Sequence, residues 1–168
     1  MRRIDAGDGR ELRRMRLAAI ADSPATFATT LAVARARPFH HWDRVAEAGS
    51  WGGDQATWFA EHGGEPAGMI NAYRSGAGAV TVTSLWAAPG HRHLGVADVL
   101  VGRALEWAEE HGAARVRLWV VERNDEARDF YRRWGFRPTG REIKYEPDPR
   151  MVEIELEREV SSTGPGDA

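Results

Sequence analysis

Arg92, Gly95 and Ala97 stand at Arg-x-x-Gly-x-Ala spacing inside the run LWAAPGHRHLGVADVL, residues 85–100. An apolar strand end, a Pro-Gly turn and an apolar helix frame them, an order suited to anion binding. Gly95 lets the backbone approach a bulky anion closely. The helix behind it directs unpaired N–H groups and the positive end of its dipole at the same point. Arg92, just before the turn, adds a fixed positive charge. No lysine follows the glycines in a G-K-[ST] arrangement, so a nucleotide-hydrolysing P-loop is a poor match. The expected ligand is a pyrophosphate-bearing cofactor rather than ATP.

The elements that must position this loop follow from periodicity and breakers. A short strand (1–4) leads to Asp8-Gly9-Arg10-Glu11, whose capping-box spacing predicts a helix to about Ala21, ended by Asp22-Ser23-Pro24. Leu12, Met15, Ala19 and Ile20 form its apolar stripe, and Arg13-Arg14-Met15-Arg16 reads as a solvated face. A helical stretch from Thr30 to about Gly49 is broken at Pro38. Three runs (56–61, 67–74 and 79–88), punctuated by glycine-rich turns, predict an antiparallel meander. A long helix is expected from about His93 to His111, with Gly112 as its stop. Arg115–Val121 reads as a central strand. Asn124-Asp125-Glu126 caps a helix to about Trp134, and two strands (136–146 and 151–160) follow. VEIELERE alternates cleanly, which predicts one wet face.

Size and charge narrow the function. At 168 residues the chain is expected to be one domain over residues 1–160, with a disordered tail over 161–168. A net charge of −2 supplies no global basic field, which argues against nucleic acid. There is no cysteine, so thiolate catalysis and disulfides are excluded. Neither a signal-peptide core nor a run of about 20 apolar residues is present, so no membrane partner is expected and a cytoplasmic location is. No metal site is expected. Most of the seven tryptophans read as core.

Two segments together resemble the GNAT N-acetyltransferase superfamily. One is Arg92, Gly95 and Ala97 with Pro89 upstream. The other is LWVVERNDEARDFYRRWGF, residues 118–136, with Asn124, Ala127, Phe130, Tyr131, Gly135 and Phe136 in register. The resemblance covers about residues 1–160. It implies an α/β (α+β) fold, a mixed, mainly antiparallel sheet flanked by helices, with the fourth and fifth strands splayed. It also implies acetyl-CoA as co-substrate and an amine of a small molecule or peptide as acceptor. The pyrophosphate would lie on the amides of His93, Leu94, Gly95, Val96, Ala97 and Asp98, beside Arg92. The pantetheine arm would run along the edge of Leu85, Trp86 and Ala87 and meet Asn124, which also reads as an N-cap. Tyr131 would protonate the leaving thiolate, with Trp86 and Trp119 near the thioester.

The resemblance supplies no general base. Where such enzymes carry a glutamate on the fourth strand this chain has Thr81, Val82 and Thr83, and on the fifth it has Trp119. Glu122 reads as solvated, while His40 and His41 lie in the variable acceptor-side helices; a water chain is an equal candidate. Phe27, Phe39 and Trp42 read as core in the acceptor region. Other readings stay open: a longer acyl donor, a hydroxyl or aminoacylated RNA as acceptor, or a non-catalytic acyl-CoA-binding module. Homodimerisation, frequent in the family, also stays open.

Overall fold

A computed structural model describes residues 1–76 and 78–160; the expected tail, 161–168, lies outside them. The elements run β1 (Arg2–Arg3), α1 (Gly9–Asp22), α2 (Leu31–Ala36), α3 (Phe39–Trp51), β2 (Gln55–His62), β3 (Glu65–Arg74) and β4 (Ala79–Ala87). After them come α4 (Val96–Glu110), β5 (Arg115–Val121), α5 (Asp125–Arg133), β6 (Arg137–Lys144) and β7 (Val152–Glu159). Seven strands form one sheet in the order β1-β2-β3-β4-β5-β7-β6. Every pairing is antiparallel except that of β4 with β5. This mixed, mainly antiparallel sheet flanked by helices is the expected architecture.

The sheet separates two cores. On one side α4 and α5 cover Trp58, Ile70, Val82, Val116 and Leu118, where Trp107 meets Trp58 edge-on with ring centroids 6.2 Å apart. On the other, Leu12, Met15, Ala19 and Ile20 of α1 pack with Trp42, Phe59, Met69 and Trp86. The expected stripe of α1 is therefore its buried face. A Cβ on Gly68 would meet the Trp86 carbonyl oxygen at 2.5 Å and Val96 at 2.8 Å, so glycine here lets α4 lie close over β3.

The splay of β4 and β5 is the feature that matters for function. Their parallel pairing covers Ala79 with Arg115, Val80 with Val116 and Thr81 with Arg117. Beyond it β4 bulges: Met69 faces Trp86 and Asn71 faces Thr83, so two steps along β3 match three along β4. Ser84 within this bulge has φ of 60°, the positive value among non-glycine residues described. An extra residue bends a strand and strengthens its local twist, which carries β4 away from β5.

Three local expectations are corrected. Asp8 begins α1 without capping it; its carboxylate accepts from the Asp5 N–H at 2.8 Å and from Arg2 instead. The long helix starts at Val96, not His93, because Pro89–Leu94 forms a 3-10 turn. And β7 has no uniformly wet face: Glu155 is only 3% exposed, held by Thr139 at 2.9 Å and Arg141 at 2.9 Å. Side chains from the neighbouring β6 cover a position that alternation alone assigns to water. Among the described residues, no helix is long and apolar enough to cross a membrane.

Candidate active site

A cavity of about 590 Å³ fills the gap where β4 and β5 part. Its two long walls are backbone and side chains of residues 82–87 and 118–121. Its mouth is bordered by the turn and first residues of α4 and by α5 with its cap, which contribute Arg92, His93, Ala97, Asp98, Asn124 and Tyr131. Most of the expected site residues are thus brought together from four elements.

The polar edge of the cavity is main chain. The Ala88 N–H donates to the Ala67 carbonyl at 2.8 Å, toward β3. Backbone groups alternate along a strand, so the N–H of Ala87 turns the other way, into the gap. At the mouth, Gly95 has φ of 73° and opens α4 in the left-handed conformation. Val99 N–H makes the first helical bond, to the Gly95 carbonyl at 3.0 Å. The N–H groups of Val96, Ala97 and Asp98 precede that bond and have no carbonyl one turn back. These three amides, which fall within the expected run 93–98, have the positive end of the helix dipole behind them. Leu94 is exposed and the Val96 side chain is buried in the core, so residues 94–96 lie outside the side-chain lining.

Arg92 is clamped rather than free. Its Nε–H donates to the Ala87 carbonyl at 3.3 Å, and its Nη2 pairs with Asp22 at the end of α1. The same Asp22 oxygen accepts from the Trp86 indole at 3.0 Å. Burial works against the Asp22 charge, yet hydrogen bonds from Trp86 and Ser23 and the charge of Arg92 hold the carboxyl below its usual value. Trp86 consequently packs its ring on the α1 side of the sheet and borders the cavity from there. Asp98 accepts from the Trp134 indole at 3.0 Å, which fixes the first turn of α4 against the end of α5.

Asn124 caps α5, its Oδ1 accepting from the Ala127 N–H at 3.1 Å. Tyr131, two turns further on, is 9% exposed and wedged edge-on between Phe130 and Phe136. Burial raises its phenol well above the ordinary tyrosine value, so it stays protonated across the physiological range. Trp119 lines the opposite wall, with the Arg141 guanidinium stacked 5.6 Å from its ring centroid.

The acid–base candidates divide by position. Among the described residues, Glu122, His40 and His41 do not line the cavity, and His41 shares its Nε2 with Arg37 at 3.0 Å. The ionisable groups in the lining besides Tyr131 are Arg92, His93, Asp98, Glu126 and Arg133, all on the α4 and α5 side. Phe27 lines the cavity and Trp42 is core, whereas Phe39 is 56% exposed.

Two groups outside the lining carry more than their sequence context suggests. Arg16 is not part of a solvated face: its Nη1 donates to Ser84 Oγ at 2.5 Å and its guanidinium lies 4.6 Å from the Phe27 ring centroid. The available signal was helical spacing, since Arg16 falls four residues from both Leu12 and Ile20, within the apolar stripe. Glu153 on β7 stands near Tyr145, whose hydroxyl donates to the Pro24 and Phe27 carbonyls at 3.0 and 2.8 Å. Burial, reinforced by Glu146, pushes the Glu153 carboxyl up.

Comparison with known proteins gives this arrangement a context. The acetyltransferase (GNAT) family model matches residues 19–136. A protein of Mycobacterium tuberculosis named as a probable N-acetyltransferase is 31% identical over 97 residues, 56% of this chain and 54% of its own. The chain spans about half the length of the curated relatives it matches. An acetyltransferase of the GNAT family from Streptococcus pneumoniae superposes with a TM-score of 0.79 at 17% identity, covering 95% of this chain and 98% of the other. The yncA protein of Salmonella typhimurium, solved with its cofactor acetyl-CoA, gives a TM-score of 0.75 at 16% identity over 99% and 96%. At these identities the two structures establish likeness of fold.

Proposed function

Because the chain belongs to the acetyltransferase (GNAT) family, we propose that it moves the acetyl group of acetyl-CoA directly to a primary amine of a small molecule or peptide. The observation that carries this reading is the gap between β4 and β5. It has unpaired α4 amides at its mouth and a buried, protonated phenol in its wall. The acetyl-CoA held by the yncA protein supports the choice of donor.

In this reading the pyrophosphate rests on the N–H groups of Val96, Ala97 and Asp98, approached by way of His93, Leu94 and Gly95. Arg92 adds charge at its side. The pantetheine amides pair with the β4 edge at Leu85, Trp86 and Ala87 as an added strand would. The Nδ2 of Asn124, left over from the cap, meets a carbonyl of that arm. The amine nitrogen attacks the thioester carbonyl carbon, and the inward N–H of Ala87 polarises its oxygen. As the C–S bond breaks, the Tyr131 hydroxyl gives its proton to the thiolate. Solvent in the open cleft takes the ammonium proton and restores that of Tyr131. No cysteine exists to carry a thioester acyl-enzyme, which favours direct transfer.

The test mixes the protein with acetyl-CoA and a panel of amines and follows free thiol. Amine-dependent thiol release is the expected result. Tight acetyl-CoA binding without release across the panel would replace this reading with a non-catalytic acyl-CoA-binding module.

A further inference from the structure

Behind two residues of the cleft wall, Ser84 and Phe27, stands a cation that has no counter-charge among the described residues. Arg16 rises from the buried stripe of α1 and ends at two residues of the cavity lining. It donates to the hydroxyl of Ser84, at the summit of the β4 bulge, and lies over the ring of Phe27. A guanidinium presents five N–H donors, and the Ser84 bond uses one of them. No Asp or Glu among the described residues pairs with it. The charge of Arg37 acts on it and repels. Burial and Arg37 together push Arg16 down to about 10, still fully charged at neutral pH.

A partly buried, unpaired cation is costly in a folded protein unless an anion completes it. The planar fork of an arginine matches a carboxylate bidentately. Its position narrows the ligand further. Ser84 is where β4 leaves β5, so a group bound to Arg16 lies beside the point at which a thioester running along Leu85–Ala87 would meet the acceptor. From these observations we propose that the acceptor is an amine bearing a carboxylate a few bonds from its nitrogen, an amino acid, and that Arg16 holds that carboxylate. The proposal rests on the acetyl-transfer reading for its position but makes a binding claim of its own.

The experiment therefore reads binding before turnover. Protein saturated with CoA is titrated calorimetrically with the twenty protein L-amino acids and with their carboxamides. At least one free acid binds about 10- to 100-fold more tightly than its carboxamide, the range expected for a charge-assisted pair. Arg16→Gln removes that preference while CoA affinity, measured on the same variant, stays unchanged and reports an intact fold. Arg16→Lys restores part of it. Carboxamides binding as well as acids, or a preference that survives Arg16→Gln, overturns the proposal. Acid-selective binding without thiol release from acetyl-CoA leaves the carboxylate site standing and overturns the transfer reading instead.

Discussion

The indole N–H of Trp86 donates to the Asp22 carboxylate at 3.0 Å, tying β4 just beyond its bulge to the last residue of α1. Because that carboxylate also takes Arg92, the strand along which the pantetheine arm would lie and the loop before α4 share one anchor.

Loss of that anchor has a pH signature. A carboxyl held below its usual value contributes stability that is present above the unfolded value, near pH 4, and is lost as pH falls through the folded one. Asp22→Asn is expected to cost about 1 kcal/mol at pH 7, a small figure because the ion pair faces solvent. Urea unfolding at pH 7 and pH 3 checks this: the wild-type advantage shrinks at the lower pH.

Tyr131→Phe removes one oxygen from a ring packed between Phe130 and Phe136 and leaves its apolar contacts in place. As the proposed general acid, it is expected to lower kcat by about 100-fold or more with little change in CoA affinity. Steady-state kinetics beside calorimetric CoA titration separates the two. An unchanged kcat removes Tyr131 from the proton path.

The pH–rate profile follows from the same side chain. Burial raises the Tyr131 phenol, so the proton donor persists to higher pH than an ordinary tyrosine would allow. With solvent taking the ammonium proton, kcat/KM is expected to rise toward the acceptor amine's own pKa, near about 10 for an alkylamine. No fall should occur below that point. A bell with an alkaline limb near pH 8 would point to a different acid.

Gly95 offers a conformational test, because a Cβ there would meet no atom within 4 Å although φ is 73°. Asparagine tolerates the left-handed region and β-branched residues do not. Gly95→Asn is therefore expected to keep CoA affinity within a few-fold, whereas Gly95→Val weakens it about tenfold or more by swinging the α4 amides away. Equal losses in both variants would indicate that bulk, not backbone conformation, matters at this turn.

Glu153 runs in the opposite sense to Asp22. Its carboxyl is raised by burial and by Glu146, so the folded protein favours its neutral form and loses stability as pH rises through the folded value. Glu153→Gln is expected to raise the denaturation midpoint at pH 8 and to change it little at pH 4. Thermal melts at the two pH values decide it; a variant less stable at pH 8 would assign Glu153 a favourable ion pair.

Much of the fold was legible because local rules and tertiary packing agree. The apolar run of β5 begins and ends where its composition implies, at Arg115 and Val121. Asn124 caps α5 through the Ala127 N–H as its place before an acidic first turn suggests. Pro38 divides the α2–α3 region as a missing donor requires. Disagreement arose where a residue's environment comes from distant chain. Asp8 has capping spacing, but Arg2 draws its carboxylate away from the helix. Glu155 occupies a polar slot in an alternating strand, but Thr139 and Arg141 of β6 enclose it.

The sequence by itself determined the left-handed turn at Gly95 that opens α4. Glycine at 95, an apolar helix after it and an arginine before it are sufficient, because left-handed backbone and unpaired helix amides are local properties. The tertiary structure decided what surrounds that turn. Thr-Val-Thr-Ser-Leu-Trp reads as an unbroken strand, and only its pairing with β3 reveals the extra residue at Ser84 that opens β4 from β5. The same pairing brings Ser84 to Arg16 and Trp86 to Asp22, across 68 and 64 residues of chain. Register and sheet order set such contacts, and both are fixed by which faces bury their apolar residues together, a property of the whole sheet rather than of any one segment.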